Sequence, residues 1–117
     1  MQLSKPKIVR GGARDTGIDV VVIQNGEKVV VQCKRYAANH KVSSAEVQRF
    51  VGAIQIERAS RGIFISTSNF TAEARAIASK EGIVLVGEIE LAAMIDQAFA
   101  NARSAVGKAT LSSQLHT

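Results

Sequence analysis

The stretch "IDVVVIQNGEKVVVQCK", Ile18 to Lys34, decides the fold of this chain. Two runs rich in β-branched residues flank Asn25-Gly26, and this dipeptide is a strong hairpin signal because a type I′ turn needs positive φ at both central residues. Both runs are nearly all apolar instead of alternating, which is typical of strands that are covered on both faces. The stretch therefore predicts two antiparallel strands inside a sheet.

A two-residue turn at Asn25-Gly26 fixes which residues face each other across this hairpin. In that register Asp19 lies opposite Gln32, and Lys34 is the diagonal neighbour. Because strand side chains alternate between two faces, we expect Asp19, Gln32 and Lys34 on one side. Ile18 and Cys33 are expected on the other side, with Cys33 facing the core. A three-residue loop would shift the register by one and separate Asp19 from Gln32.

A carboxylate, an amide and an ammonium at one end of an apolar hairpin have two interpretations. In the first, the hairpin end reaches water and Asp19 pairs with Lys34. In the second, the end is a divalent-metal site with oxygen ligands from the Asp19 carboxylate, the Gln32 amide and the backbone carbonyl of Cys33. Mg²⁺ suits such a sparse set because it keeps several of its waters. The spacing leaves both interpretations open.

The rest of the sequence predicts buried strands that alternate with helices. Ile8 and Val9 indicate a short first strand, and Ser43 and Glu46 have capping-box spacing at the start of a helix. The predicted order is β-β-β-α-β-α-β-α, which indicates an α/β fold with a mixed sheet. The later elements are helices over 43–58, 69–82 and 88–107 and strands over 62–68 and 83–87. Leu91, Met94, Ile95 and Phe99 lie on one side of the last helix. We expect one domain over residues 1–104 and a flexible tail over 105–117.

Composition limits the classes of protein to which the chain can belong. The 117 residues carry a net charge of +5, and no apolar run approaches the roughly 18–20 residues that cross a bilayer. The single cysteine excludes an internal disulfide and fits a cytoplasmic protein. Residues 1–61 hold eleven Lys/Arg and five Asp/Glu, whereas residues 62–117 hold four and five. This asymmetry indicates either a polyanionic partner such as nucleic acid or simply a basic soluble domain.

Four segments resemble a known family: "GARDTGIDVVV", "VVVQCKRY", "AEVQRFVGA" and "GIFISTSNFTAEARAIA". Together they look like the catalytic domain of the Mrr-like restriction endonucleases in the PD-(D/E)xK nuclease superfamily, from about Gly11 to Ile95. The resemblance implies a three-layer α/β/α restriction-endonuclease-like fold with a mixed central sheet. It also implies DNA cleavage that depends on Mg²⁺ or Mn²⁺. The helix that precedes the first strand in this family is expected to be missing here.

The resemblance also assigns residues to roles. It maps the catalytic aspartate onto Asp19, the usual acid of the (D/E)xK element onto Gln32, and the lysine onto Lys34. Asp15 and Gln48 are possible support residues, and the metal ligands are those proposed above. Lys34 suits the stabilisation of developing negative charge during in-line hydrolysis. Four basic residues are candidate phosphate contacts: Arg10, Arg14, Arg35 and Lys41.

These expectations add up to a metal-dependent DNA endonuclease, which the resemblance connects with restriction or defence against foreign DNA. Two alternatives stay open: a non-catalytic DNA-binding or assembly module on the same fold, and a structure-specific nuclease that resolves junctions. The expected partners are DNA, a second copy of the chain as a homodimer and a separate recognition subunit, with no membrane.

Overall fold

The computed structural model describes residues 5–10 and 16–115. These residues form five strands and three helices. The elements are β1 (Lys7–Arg10), β2 (Val20–Gln24), β3 (Glu27–Lys34), α1 (Ser44–Ile56), β4 (Arg61–Ser66), α2 (Ala72–Glu81), β5 (Val84–Val86) and α3 (Glu88–Leu115). Their sequence confirms the predicted order of elements.

The strands form one mixed sheet in the order β1-β2-β3-β4-β5. The pairs β1–β2 and β2–β3 are antiparallel, whereas β3–β4 and β4–β5 are parallel. The hairpin has the predicted register, with Val20 opposite Val31 and Gln24 opposite Glu27. Asn25 and Gly26 have φ values of 53° and 79°, as a type I′ turn requires. The mixed α/β fold is therefore confirmed.

Local signals at the helix ends explain where α1 and α2 begin and stop. Ser43 caps α1 and forms the predicted capping box with Glu46. Thr71 caps α2 by accepting a hydrogen bond from the Ala74 N–H, and Gly82 ends that helix in the left-handed conformation with φ 71°. The loops before both helices therefore have defined geometry, and the Ser43 cap fixes the entry of α1 beside the end of β3.

The core lies between one face of the sheet and helices α1 and α2. Val30, Phe50 and Phe64 are fully buried there, and Phe64 meets Phe50 edge to face with 5.4 Å between ring centroids. Each such side chain contributes about 1.5–3 kcal/mol through burial. Gly62 lets α1 approach β4 closely, because a Cβ atom at that position would lie 2.4 Å from the Ile54 side chain.

The opposite face of the sheet is less covered in the described part of the chain. Val29, Val31, Ile63 and Ile65 are only half-buried on that face, and Val84 is 51% exposed. Among the described residues no helix covers it, because α3 starts beside β5 and contacts the sheet mainly there. Helices α1 and α2 therefore form the helical layer on the core face of the sheet.

Helix α3 continues to Leu115, into the segment 105–117 for which a flexible tail was expected. The apolar side chains of its predicted stripe remain exposed: Met94 is 58% exposed, Ile95 51% and Phe99 60%. The domain boundary at residue 104 stays a prediction. None of the helices in the described part of the chain is long and apolar enough to cross a membrane.

Candidate active site at the end of the hairpin

Asp19 lies directly before β2 and breaks the regular ladder of the hairpin. Its N–H donates to the Val31 carbonyl at 3.0 Å, although the ladder partner of Val31 is Val20. Its carboxylate Oδ2 accepts a hydrogen bond from the Cys33 N–H at 2.6 Å. The aspartate side chain is thus bound to the neighbouring strand at the residue between Gln32 and Lys34.

Two side chains near this break have surroundings that differ from the expectation. Ile18 was expected on the same side as Cys33, away from Gln32 and Lys34, but it is 6% exposed and belongs to the same buried cluster as Val30. Cys33 was expected to face the core, but it is exposed because no described helix covers its side of the sheet. Partial loss of hydration and the nearby charge of Asp19 raise the pKa of the Cys33 thiol, so it is not an activated nucleophile.

A cavity of about 380 Å³ lies between the end of β3 and helix α1. Gln32 and Lys34 both line it, as expected for two residues on one face of a strand. Asp19 is not among the lining residues, and it is exposed beside the cavity at the start of β2. The other lining residues are Thr16, Gly17, Tyr36, Glu46, Arg49, Gly52, Ala53 and Ile56.

The Gln32 side chain packs against the segment that precedes β2. Its side chain is buried, with 9% exposure, and Gly17 lies directly against its amide. A Cβ atom at Gly17 would lie 3.2 Å from the Gln32 Nε2, and Gly17 itself has a φ of +75°. Glycine is therefore favoured at this position by the backbone conformation, and an added Cβ atom would press against the amide.

Glu46 brings a carboxylate to the cavity, but both of its oxygens already have partners. Oε1 accepts a hydrogen bond from the Tyr36 hydroxyl, and Oε2 accepts from the Ser43 N–H at 2.9 Å and from the Ser43 hydroxyl at 3.2 Å. Burial acts to raise the pKa of Glu46, but these hydrogen bonds outweigh it and hold the pKa below its usual value. The same hydrogen bond, followed by burial, raises the pKa of Tyr36. Glu46 therefore stays ionised and joins α1 to the segment after β3.

The described donors near Asp19 are oxygen atoms of the kind that a hard cation prefers. One Asp19 carboxylate and the Gln32 amide suit Mg²⁺ or Mn²⁺ that keeps most of its waters. Among residues 5–10 and 16–115 there is no group of three or more His, Cys, Asp or Glu side chains that could hold a metal ion. A cation with fewer water ligands, such as a structural zinc ion, does not fit this set.

Three of the remaining predicted residues are exposed in the described part of the chain, and three others lie wholly or partly outside it. Gln48 is exposed on α1 and does not line it, and its support role stays a prediction. Arg35 and Lys41 are exposed, in the segment between β3 and α1. Asp15 and Arg14 lie outside the described residues, as does the side chain of Arg10, whose backbone belongs to β1.

Two cavity residues were missed as site residues: Tyr36 and Arg49. Counting helical turns from the capping residue Glu46 gives positions 49, 53 and 56, which all line the cavity. This helical spacing indicates Arg49 and not Gln48, but only once it is known which face of α1 is next to the end of the hairpin. Tyr36 is the second residue after the predicted lysine and therefore continues the same strand face.

Comparison with known proteins gives one family and several relatives. The family model Mrr_cat, described as a restriction endonuclease, matches residues 5–95. The type IV methyl-directed restriction enzyme EcoKMrr of Escherichia coli strain K12 is 48% identical over 80 residues, which are 65% of this chain and 26% of that protein. The chain thus spans about a quarter of the length of this relative.

Solved structures of restriction enzymes share the fold. The MspJI restriction endonuclease in complex with a 27-mer oligonucleotide superposes with a TM-score of 0.62 at 22% identity, covering 76% of this chain and 22% of MspJI. The DNA modification-dependent restriction endonuclease AspBHI gives a TM-score of 0.56 at 20% identity, covering 80% and 22%. At this level of identity the similarity shows a common fold.

Proposed function

Since this chain belongs to the Mrr_cat family of restriction endonucleases, we propose that it hydrolyses phosphodiester bonds of DNA with a divalent metal ion, Mg²⁺ or Mn²⁺. One observation carries this proposal. Gln32 and Lys34 line one cavity at the end of β3, and the carboxylate of Asp19 is bound to the N–H of the residue between them. This arrangement favours the interpretation of the hairpin end as an active site, in preference to a hairpin end that simply reaches water.

Each group has a defined task in this proposal. The Asp19 carboxylate, the Gln32 amide oxygen and the Cys33 carbonyl hold the cation, which when bound polarises the phosphate and lowers the pKa of water. Lys34 brings an ammonium group into the cavity, where it orients the attacking water and stabilises the charge that develops on the phosphate. Half-burial of Lys34 strengthens this electrostatic effect, because the surroundings screen its charge less than water does.

The basic residues around the cavity are proposed to hold the DNA backbone. Arg49 lines the cavity, and Arg35 and Lys41 are exposed between β3 and α1. Arginine binds phosphate with a planar pair of donors, and such contacts position the duplex without reading its sequence. Binding should therefore weaken steeply as salt increases.

The biological setting is proposed from the relatives. The EcoKMrr relative is named as a methyl-directed restriction enzyme, which supports a role in restriction or defence, with DNA as the partner. Since this chain matches 26% of that protein, we propose that target recognition comes from a separate domain or subunit. A cytoplasmic location fits both DNA as substrate and the single cysteine.

We also propose that the chain acts as a homodimer through helix α3. Met94, Ile95 and Phe99 form an apolar stripe that is more than half exposed. A helix with such a stripe gains free energy by packing against an equivalent helix, and a two-fold pair brings the same stripe from each copy. A dimer would supply two cleavage sites for the two strands of a duplex.

Three plasmid-nicking reactions test the catalytic proposal: the native chain with Mg²⁺, the native chain with EDTA, and Lys34→Ala with Mg²⁺. We expect nicking only in the first reaction, because the other two lack the metal or the ammonium group. Lys80→Ala, an exposed substitution on α2, is the matched control and should nick like the native chain. Undiminished nicking by Lys34→Ala would refute the assigned role. DNA binding without cleavage under any divalent metal would instead identify a non-catalytic DNA-binding module.

A further inference from the structure

We propose that Thr67 is a positioning residue for Lys34, which acts through the backbone at the end of β3. This inference rests on the proposed function, because it concerns the residue that is thought to stabilise the reacting phosphate. Thr67 does not line the cavity. Its effect on catalysis would therefore come from where it holds Lys34, and not from contact with DNA.

Thr67 extends the hydrogen bonding between β3 and β4 beyond the last regular pair of the two strands. The regular pairing of β3 with β4 stops at Lys34 and Ser66. Thr67 continues it with its own N–H, which donates to the Lys34 carbonyl at 3.2 Å. Its hydroxyl oxygen then accepts from the Tyr36 N–H at 2.8 Å and donates to the Tyr36 carbonyl at 2.7 Å. A single residue thus binds three backbone groups in the segment from Lys34 to Tyr36.

The exposure of Thr67 indicates what these bonds are for. Its side chain faces solvent, so water could satisfy its hydroxyl and the two Tyr36 backbone groups if they were apart. Burial therefore does not force this hydroxyl to bond to the main chain. A β-branched side chain has few rotamers, so the bonds hold the segment after Lys34 in one position at little further cost in entropy.

A second connection holds the same segment from the other side. The Tyr36 hydroxyl donates to Glu46 on α1, while its backbone is bound to Thr67 after β4. Tyr36 is thus held between a helix and a strand, and Lys34 is two residues before it on the same face. Loss of the Thr67 hydroxyl would remove both of its hydrogen bonds to the Tyr36 backbone. The segment after Lys34 would then be held less firmly, by the Thr67 N–H and by the Tyr36 side chain.

The test compares three variants in steady-state DNA cleavage with Mg²⁺. Thr67→Val removes the hydroxyl at nearly constant shape, and Thr67→Ser restores it. Because small displacements of a catalytic group are costly, we expect Thr67→Val to lower kcat about tenfold or more, with KM changed less than about twofold. Thr67→Ser should keep kcat within about threefold of the native value.

Ser60→Ala is the matched control at the other end of the same strands. The Ser60 hydroxyl donates to the Lys28 carbonyl at 3.1 Å, so its removal also deletes an exposed bond from a hydroxyl to the main chain. It should leave kcat unchanged. If Ser60→Ala lowers kcat as much as Thr67→Val, or if Thr67→Val cleaves at the native rate, then Thr67 does not position Lys34.

A measurement without cleavage separates this inference from the proposed function. Thr67→Val should lose hydrogen-exchange protection at the Tyr36 amide and change the NMR shift of the Lys34 side-chain carbons. If the native chain cleaves no DNA but these two changes occur, the proposed function fails and the positioning stands. Unchanged protection and unchanged Lys34 shifts would overturn the positioning itself.

Discussion

The carboxylate of Asp19 and the backbone N–H of Cys33 form a hydrogen bond of 2.6 Å that joins the two strands of the hairpin at its open end. Cys33 lies between Gln32 and Lys34 in β3, so this one contact attaches the aspartate next to the two cavity residues. A bond from a carboxylate to the main chain depends on no second flexible side chain. The position of the Asp19 carboxylate on β3 is therefore a property of the hairpin itself.

Gly17→Ala should destabilise the protein and disturb Gln32. At a φ of +75° an alanine costs about 1–2 kcal/mol, and its Cβ would also meet the Gln32 amide at 3.2 Å. Gly26→Ala is the control, because it has a φ of +79° but open space around the added atom. We expect both variants to unfold at lower urea concentration and only Gly17→Ala to lose cleavage. Equal loss of cleavage in the two would show that the contact with Gln32 is irrelevant.

Gln32→Glu should strengthen metal binding, because it adds a second carboxylate beside Asp19. We expect half-maximal cleavage at roughly tenfold lower Mg²⁺, since ligand charge sets affinity for hard cations. The buried carboxylate is costly without a cation, so the rise in Tm on adding Mg²⁺ should also exceed that of the native chain. Gln55→Glu adds the same charge at an exposed position of α1 and should change neither quantity. An unchanged Mg²⁺ requirement in Gln32→Glu would argue against Gln32 as a ligand.

Glu46 should make the free energy of unfolding depend on pH below about pH 4.5. Its pKa in the folded protein is below the ordinary value of 4.5, so its stabilisation is fully present above that pH and is lost as pH falls through the folded pKa. We expect Glu46→Gln to unfold at lower urea concentration than the native chain at pH 7, with a smaller difference at pH 3. Glu73→Gln, an exposed change in α2, is the control. A difference that stays constant from pH 7 to pH 3 would contradict this account of Glu46.

Phe99→Asp should prevent dimer formation if α3 joins two copies. Phe99 belongs to the exposed apolar stripe, and a charge there opposes burial of that face. Ala100→Asp puts the same charge outside the apolar stripe, because successive residues of a helix are about 100° apart around its axis. This variant should leave the dimer intact. Light scattering on a sizing column measures the mass of each. A native chain that is monomeric at high concentration would remove the proposed dimer.

The hairpin shows what the sequence could predict. Asn25-Gly26 determines the turn, so the register from Val20 to Gln24 followed from two residues and was confirmed. The cap at Ser43 was also confirmed, since local hydrogen bonds determine it. The elements that pack on each face of the sheet could not be predicted. The apolar residues Val29 to Val31 indicate that the strand is buried, but they do not show which helix buries it. The described helices cover one face, and Cys33 is exposed on the other.

The site was predictable to the extent that strand alternation decides it. Gln32 and Lys34 share a cavity because they are two residues apart on one strand. The position of Asp19 was less predictable, since its N–H bonds to Val31 outside the regular pairing and Ile18 turns into the core. Arg49 was missed because its place in the site depends on the packing angle of α1, which local spacing does not fix.

The most direct test of the central claim is a crystal of this chain soaked in Mn²⁺, whose anomalous scattering locates the ion. The account predicts one strong peak at the end of the hairpin, bound by a carboxylate oxygen of Asp19 and the amide oxygen of Gln32, and its loss in Asp19→Asn. A peak held by other residues, in a crystal of protein that cleaves DNA with Mn²⁺, would contradict the proposed site.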